Sequence, residues 1–224
     1  MYLPDRFRLD SPVALARAID DAPFATLVTT DDTGAISTDH LPLLRYPGEP
    51  PMPMADNTDW AASLAGALRG HVARANPLAA LAAPRSAMAI FHGPQAYISP
   101  SIYPAKREHG RVVPTWNYQV VQVRGQLRLI DEPAWLRSLV TDLTARFETE
   151  RPAPWAVNDA PATFIDALCQ AIVGVELTIV SVDGKRKASQ HRPRAEREAI
   201  QHDLRVTSGL DAMAARTLSG LDEA

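Results

Sequence analysis

Between Tyr118 and Ile130 the chain alternates strictly. Val121, Val123, Leu127 and Leu129 share one face and Gln122, Arg124, Gln126 and Arg128 the other, with Gly125 as the expected bulge. The period then changes. Leu136, Leu139, Val140, Leu143 and Phe147 follow helical spacing from Glu132 to about Glu148. Upstream, the strands come in hairpin order. Phe24–Thr30 is β-rich, Asp31-Asp32-Thr33-Gly34 is turn material and Ala35–Leu44 resumes as a strand. Six to eight strands in hairpin order with helices inserted late do not make a doubly wound sheet. No Gly-rich turn joins a strand to a helix, so the Rossmann and P-loop readings fail. A closed or split antiparallel barrel fits better.

The remaining punctuation fills in the frame. Ser11 before Pro12 reads as the N-cap and first position of a helix reaching about Asp20. Tyr46–Met54, with four prolines and one glycine, reads as a loop. A second hairpin or bent strand ends in Leu68–Ala75. Arg85–His92 is a short strand, Gly93-Pro94 a turn, Gln95–Ser99 a further strand and Pro100–His109 an ordered loop. A second helix is expected over Ala160–Ala171 and a last strand from Val173 to about Val182. The tail from Pro193 reads as helical, broken near Ser208-Gly209, which divides the chain into a main domain over 1–192 and a tail over 193–224.

Composition removes several function classes. A net charge of -3 gives no global drive toward nucleic acid or an anionic membrane. No apolar run reaches the roughly 20 residues that span a bilayer. The N-terminus lacks a basic segment followed by an apolar one, which makes the cytoplasm the default compartment. Cys169 is the only cysteine and lies in the apolar stretch Phe164–Ile172, so it is expected to pack rather than react. The histidines show neither metal-ligand spacing nor a pairing with glutamate, and no Gly-x-Ser-x-Gly elbow exists.

What stands out is the polar load on three strand-forming runs. Gly70-His-Val-Ala-Arg-Ala-Asn-Pro77 carries His71, Arg74 and Asn76 and stops at a proline. Arg74 and Asn76 alternate, so both face one side if the strand runs that far. A charged fork beside an amide suits a phosphate. The alternative is a surface arginine paired with a carboxylate and an asparagine capping the helix that Pro77 opens. Trp116-Asn117-Tyr118 follows Pro114, where the chain is extended. It borders a planar ring or fills the core. His40, in Asp39-His40-Leu41-Pro42, is polar within an apolar strand. Lys185 through Arg197 adds a basic segment, with six Lys or Arg in the fourteen residues from Gly184. It is a phosphate or nucleic-acid contact or a solvated loop.

Taken in order, these runs resemble the PaiB-type FMN-binding negative transcriptional regulators. The resemblance rests on Met1-Tyr-Leu-Pro, Pro23–Thr29, His40-Leu-Pro-Leu-Leu44, Gly70–Pro77, Ala89-Ile-Phe91, Gly93–Pro104, Val112–Tyr118, Pro154-Trp155, Asp159-Ala-Pro161, Ile172-Val-Gly174, and Gly184-Lys185 with Ser189-Gln190. It implies a mainly β fold with inserted and C-terminal helices, an FMN-binding split β-barrel, working as a homodimer with FMN at the subunit interface. His71, Arg74 and Asn76 are then the phosphate candidates. His40, Leu41 and Pro42 flank the ring, and Trp116 and Asn117 add further contacts. Arg186 and His191 depart from the family pattern, which usually has Trp within the Gly-Lys segment and Asn after Ser-Gln.

Three readings stay open on the residues. The first is a PaiB-type regulator whose contact with DNA is weak or indirect. The second is an FMN-dependent oxidoreductase or flavin reductase using NAD(P)H. The third is a flavin carrier or sensor without turnover. No residue stands out as a general acid or base.

Overall fold

The first hairpin closes over one carboxylate. Asp31 Oδ1 accepts from the Thr33 N–H at 2.8 Å, the Thr33 hydroxyl at 2.6 Å and the Ala35 N–H at 2.9 Å, and Gly34 takes a φ of 85° that suits a residue without Cβ. The computed structural model describes residues 1–48, 64–80, 84–206 and 209–218. In chain order the elements are β1 (Arg8–Leu9), α1 (Pro12–Asp20), β2 (Phe24–Thr30), β3 (Ile36–Pro42), β4 (Leu44–Pro47), β5 (Gly66–Ala73) and β6 (Arg85–Ile98). They continue as α2 (Ala105–Glu108), β7 (Thr115–Ile130), α3 (Pro133–Glu148), α4 (Ala162–Gln170), β8 (Ile172–Lys187), α5 (Arg194–Val206) and α6 (Asp211–Leu218).

The chain divides into two units. The larger holds Ile19–Phe91 and Gln122–Val182. Its strands pair in the order β3-β2-β6-β7-β8-β5-β4, and the registered pairs are antiparallel, Ala25 opposite Leu41 and Phe91, His71 opposite Gly174. Among the described residues no pairing joins β3 to β4, so the sheet stays open. Leu27, Leu68, Val123, Leu127, Val175 and Leu177 form its interior. Gly125 is no bulge. It lies within an unbroken strand, and a Cβ there would run into the Thr178 carbonyl oxygen of the neighbouring strand. Leu136 on α3 and Ile165 and Cys169 on α4 pack into one cluster with Val157.

The smaller unit holds Met1–Ala18, His92–Val121 and Asp183–Ala224. In it β1 pairs with the far end of β8, Arg8 opposite Lys185 and Leu9 opposite Gly184. Its core joins Ile98 and Tyr103 to Ile200 and Leu204 of α5 and Met213 and Ala214 of α6. The boundary expected at 192/193 therefore falls inside this unit, because the tail supplies part of its core.

Four expectations are corrected. Gly93-Pro94 is not a turn, since β6 runs through it, and Gly93 leaves room for the Gln119 side chain packed against it. Tyr46 and Pro47 belong to β4 rather than to a loop, held by the Tyr46 hydroxyl donating to Asp142 Oδ2 at 2.5 Å, while 49–54 lies outside the described residues. β8 continues past Val182 to Lys187, and the Pro100–His109 stretch contains a 3₁₀ turn at Pro100–Ile102 and α2. No helix among the described residues is long and apolar enough to cross a membrane.

Candidate functional site

In the larger unit, β5 ends at Ala73, so Arg74 and Asn76 stand in the turn that follows. The alternation expected of them stops there, because Asn76 N–H donates to Ala73 O at 2.9 Å and turns the chain. The Arg74 guanidinium is fixed on one side by main chain, Nε donating to Gln170 O at 2.6 Å and Nη2 to Ile172 O at 3.0 Å. Its other edge faces Asp131. Nη1 donates to Oδ2 at 2.7 Å and Nη2 to Oδ1 at 2.5 Å, a two-pronged carboxylate pair. The pair raises the Arg74 pKa and lowers that of Asp131, chiefly through their hydrogen bonds. Both side chains stay open to solvent, at 43% and 61% exposure.

Asn76 is also engaged. Its Oδ1 accepts the Leu78 N–H at 2.7 Å, capping the 3₁₀ turn Pro77–Ala80, and its Nδ2 donates to Asp39 Oδ1 at 2.6 Å. That bond ties Asn76 to the residue beside His40. His40 is exposed on β3, shares a hydrogen bond with the Thr26 hydroxyl at 3.2 Å through Nδ1, and stacks on Phe24 with centroids 6.5 Å apart. Phe24 is 65% exposed. Leu41 points the other way and is buried in the core.

Pro42 and His71 meet in an open groove of about 250 Å³, walled also by Phe147, Glu148 and Trp155. Burial lowers the His71 pKa, so the ring is neutral at pH 7. Ligand sites that bury a small molecule span roughly 300–1,000 Å³. This groove is therefore sized for part of such a molecule.

The smaller unit holds the other two candidates on adjacent residues of β7. Trp116 is 52% exposed and meets Tyr97 edge-on at 6.2 Å. Asn117 is fully buried, accepts the Ser189 hydroxyl at 3.0 Å on Oδ1, and among the described residues has no partner for Nδ2. Next to them Lys187 donates to the Thr115 hydroxyl and Arg186 Nε to Gln119 Oε1 at 3.1 Å. Lys185 donates to Tyr2 O at 3.0 Å, its ammonium 5.5 Å from the Tyr118 ring centre.

The family described as "Putative FMN-binding domain" matches residues 1–181. The chain belongs to this FMN-binding family. Among its relatives is an uncharacterized protein of Aspergillus fumigatus, 34% identical over 222 residues, with 83% of this chain and 84% of the relative covered. Another is the Bacillus subtilis protein named protease synthase and sporulation protein PAI 2, the PaiB relative, 28% identical over 193 residues, with 86% and 83% covered. The fold is similar to that of a conserved hypothetical protein from Mycobacterium tuberculosis, with a TM-score of 0.56 at 11% identity over 87% of this chain and 95% of that one. It is also similar to the FAD and heme binding protein from Mycobacterium smegmatis, with a TM-score of 0.54 at 18% identity over 80% and 73%. The PaiB-type resemblance and the open, split-barrel kind of sheet thus hold, and the family's cofactor is FMN.

The side chains present fit FMN in kind. Its phosphate asks for a cation with two parallel N–H groups, and the outer edge of Arg74 has that form, here with the Asp131 carboxylate across it. Its ring asks for flat, partly apolar surface, and in the same unit as Arg74 the exposed Phe24 ring stands on β2 against His40. In the smaller unit the buried Asn117 Nδ2 is a polar group with no partner among the described residues, as are Tyr103 OH there and Arg85 Nε in the larger unit. Asp39, Asp131 and Ser189 were not among the expected site residues. Asp131 lies 57 residues from Arg74 and nothing local marks it. Asp39 could have been found as the one acid in the His40 strand.

Proposed function

We propose that this chain is a homodimeric, cytoplasmic flavoprotein that binds FMN through Arg74 and acts in negative control of gene expression, with any DNA contact weak or indirect. The observation that carries the FMN assignment is the posture of Arg74. Two main-chain carbonyls orient its guanidinium, and its open edge already holds an oxyanion group, the Asp131 carboxylate. A phosphate fits the same fork. His40, exposed and held by Thr26 and Phe24, is proposed to lie along the cofactor. The neutral His71 with Pro42 offers a surface for an uncharged ring. FMN, once bound, supplies the redox chemistry, and the chain's part is to bind and orient it.

The regulatory half of the reading leans on the Bacillus relative, whose name ties that protein to protease synthesis and sporulation. The dimer is supported by large apolar side chains left open on the β2–β3 hairpin, Phe24 and Ile36, which a second copy would cover. Light scattering at micromolar concentration checks the dimer, and a stable monomer counts against it.

The deciding experiment compares FMN with riboflavin on wild type and Arg74→Ala. Loss of the fork should weaken FMN by about one to three orders of magnitude and leave riboflavin unchanged. Full FMN affinity in the variant would reduce Arg74 to a surface ion pair.

A further inference from the structure

The geometry points to Asp131 as an internal competitor for the phosphate socket, a residue that sets how strongly the protein prefers FMN over its dephosphorylated form. This rests on the reading of Arg74 as the phosphate ligand. The guanidinium has two distinct sides. The inner one, Nε and one hydrogen of Nη2, is committed to the carbonyls of Gln170 and Ile172. Those carbonyls belong to the junction of α4 and β8 and fix the plane of the group. The outer side is the two-pronged edge, and Asp131 occupies both prongs.

Asp131 is built as a removable occupant. It follows the last residue of β7 and precedes α3 by one residue, with its side chain 61% exposed. Arg74 is its only hydrogen-bond or ion-pair partner among the described residues. Swinging it into water therefore breaks one pair and strands no buried group. A structural ion pair of the same fold looks different. Glu176 is buried and bridges Arg69 and Arg128, so it has nowhere to go.

A phosphate dianion entering the fork must evict the carboxylate. Leaving Asp131 in place would set two anions side by side, which disfavours both. Binding of FMN thus bears the cost of breaking the Arg74–Asp131 pair, and binding of riboflavin does not. Asp131 lowers FMN affinity, narrows the gap between FMN and riboflavin, and keeps the fork from taking weaker oxyanions that cannot displace a carboxylate.

The test is a fluorescence titration of FMN and riboflavin on wild type, Asp131→Asn and Arg74→Ala, with circular dichroism confirming that each variant is folded. Asp131→Asn should bind FMN about three- to tenfold tighter, from the small cost of an exposed ion pair plus relief of repulsion, and riboflavin as wild type does. Asp131→Ser should shift FMN in the same direction and stands in if the asparagine variant does not fold. If Arg74→Ala leaves FMN affinity unchanged, the phosphate assignment itself fails. If Arg74→Ala weakens FMN but folded Asp131→Asn does not tighten it, or changes FMN and riboflavin together, Asp131 is a structural brace and the competitor role is overturned.

Discussion

Ser189 donates its hydroxyl to Asn117 Oδ1 at 3.0 Å from a left-handed backbone, φ 61°, with both residues buried. Among the described residues it is the one non-glycine with positive φ. An L residue holds that conformation at a cost of roughly 1–2 kcal/mol. Two variants separate the bond from the strain. Ser189→Ala keeps the strain and leaves a buried acceptor bare, so it should lose about 1–3 kcal/mol in urea unfolding. Ser189→Gly loses the same bond but relaxes the backbone, so it should be the more stable of the two. The reverse order would mean that the left-handed backbone at Ser189 holds no strain for glycine to relieve.

A second prediction concerns the buried acid of the larger unit. Glu176 takes Arg69 Nε on Oε2 and Arg128 Nε on Oε1, each at 2.7 Å. Arg69 also lies over the Tyr46 ring at 4.3 Å. Removing the carboxylate strands Arg69 beneath aromatic surface, whereas Arg128 is 57% exposed and returns to water. Glu176→Gln should therefore cost about 3–5 kcal/mol, the usual penalty for breaking a buried pair. Arg128→Ala should cost about 1 kcal/mol or less. Urea midpoints of both variants decide this, and equal small losses would show that the pair is wetter than its burial implies.

Glu176 also illustrates what the sequence could and could not reveal. Its alternation against Val175 and Leu177 reads as a solvent-facing position, and the strand was legible for that reason. Its burial was not, because Arg69 and Arg128 come from two other strands, 107 and 48 residues away. The same divide runs through the site. β2, α1 and α3 were visible from local period and capping, as when Ser11 Oγ accepts the Ala14 N–H at 3.4 Å. His40, His71, Arg74, Asn76, Trp116 and Asn117 were visible as polar groups that a strand rarely carries. An arginine paired with a carboxylate and an asparagine capping the turn at Pro77 stood as the open alternative and are what the fold shows. The identity of the partners, Asp131 and Asp39, was not visible, because they meet Arg74 and Asn76 only through the fold. Gly125 shows the converse. A strand glycine suggested a bulge, and its true reason is a carbonyl from another strand.

His71 gives the fold a pH dependence of definite sign. Burial lowers its folded pKa below the unfolded value of about 6.5. Between those two values the unfolded chain binds the extra proton, so stability rises with pH there and is lost as pH falls through 6.5. His191 acts with the same sign, lowered by burial and by the charges of Arg192, Arg6 and Lys187. Thermal midpoints from pH 7.5 down to 5.5 should therefore fall in wild type, less steeply in His71→Gln, and least in a variant that also carries His191→Gln. An unchanged slope in His71→Gln would mean that its ring takes up a proton in the fold without cost.

The last prediction concerns DNA. A direct repressor of the helix-turn-helix kind needs a helix that presents several base-contacting side chains. The tail has two helices, but α6 buries Met213, Ala214 and Thr217, and the Thr217 carbonyl accepts Arg197 Nε at 2.9 Å. On its open face, among the described side chains, the polar one is the acidic Asp211. Of the six cations in the basic segment before it, two are paired with acids of α5. Arg192 pairs with Glu196 and Arg194 with Glu198, each at 2.8 Å. What remains supports non-specific, salt-sensitive attraction with dissociation constants of about 10⁻⁴ to 10⁻⁶ M. A mobility-shift titration at physiological salt, with the protein's own upstream duplex and a scrambled one, should show similar weak binding to both. A preference above about 10³-fold for the native duplex, the range of specific binders, would restore direct repression. The contact would then have to come from a surface other than α6, because its inward face is already spent on the core.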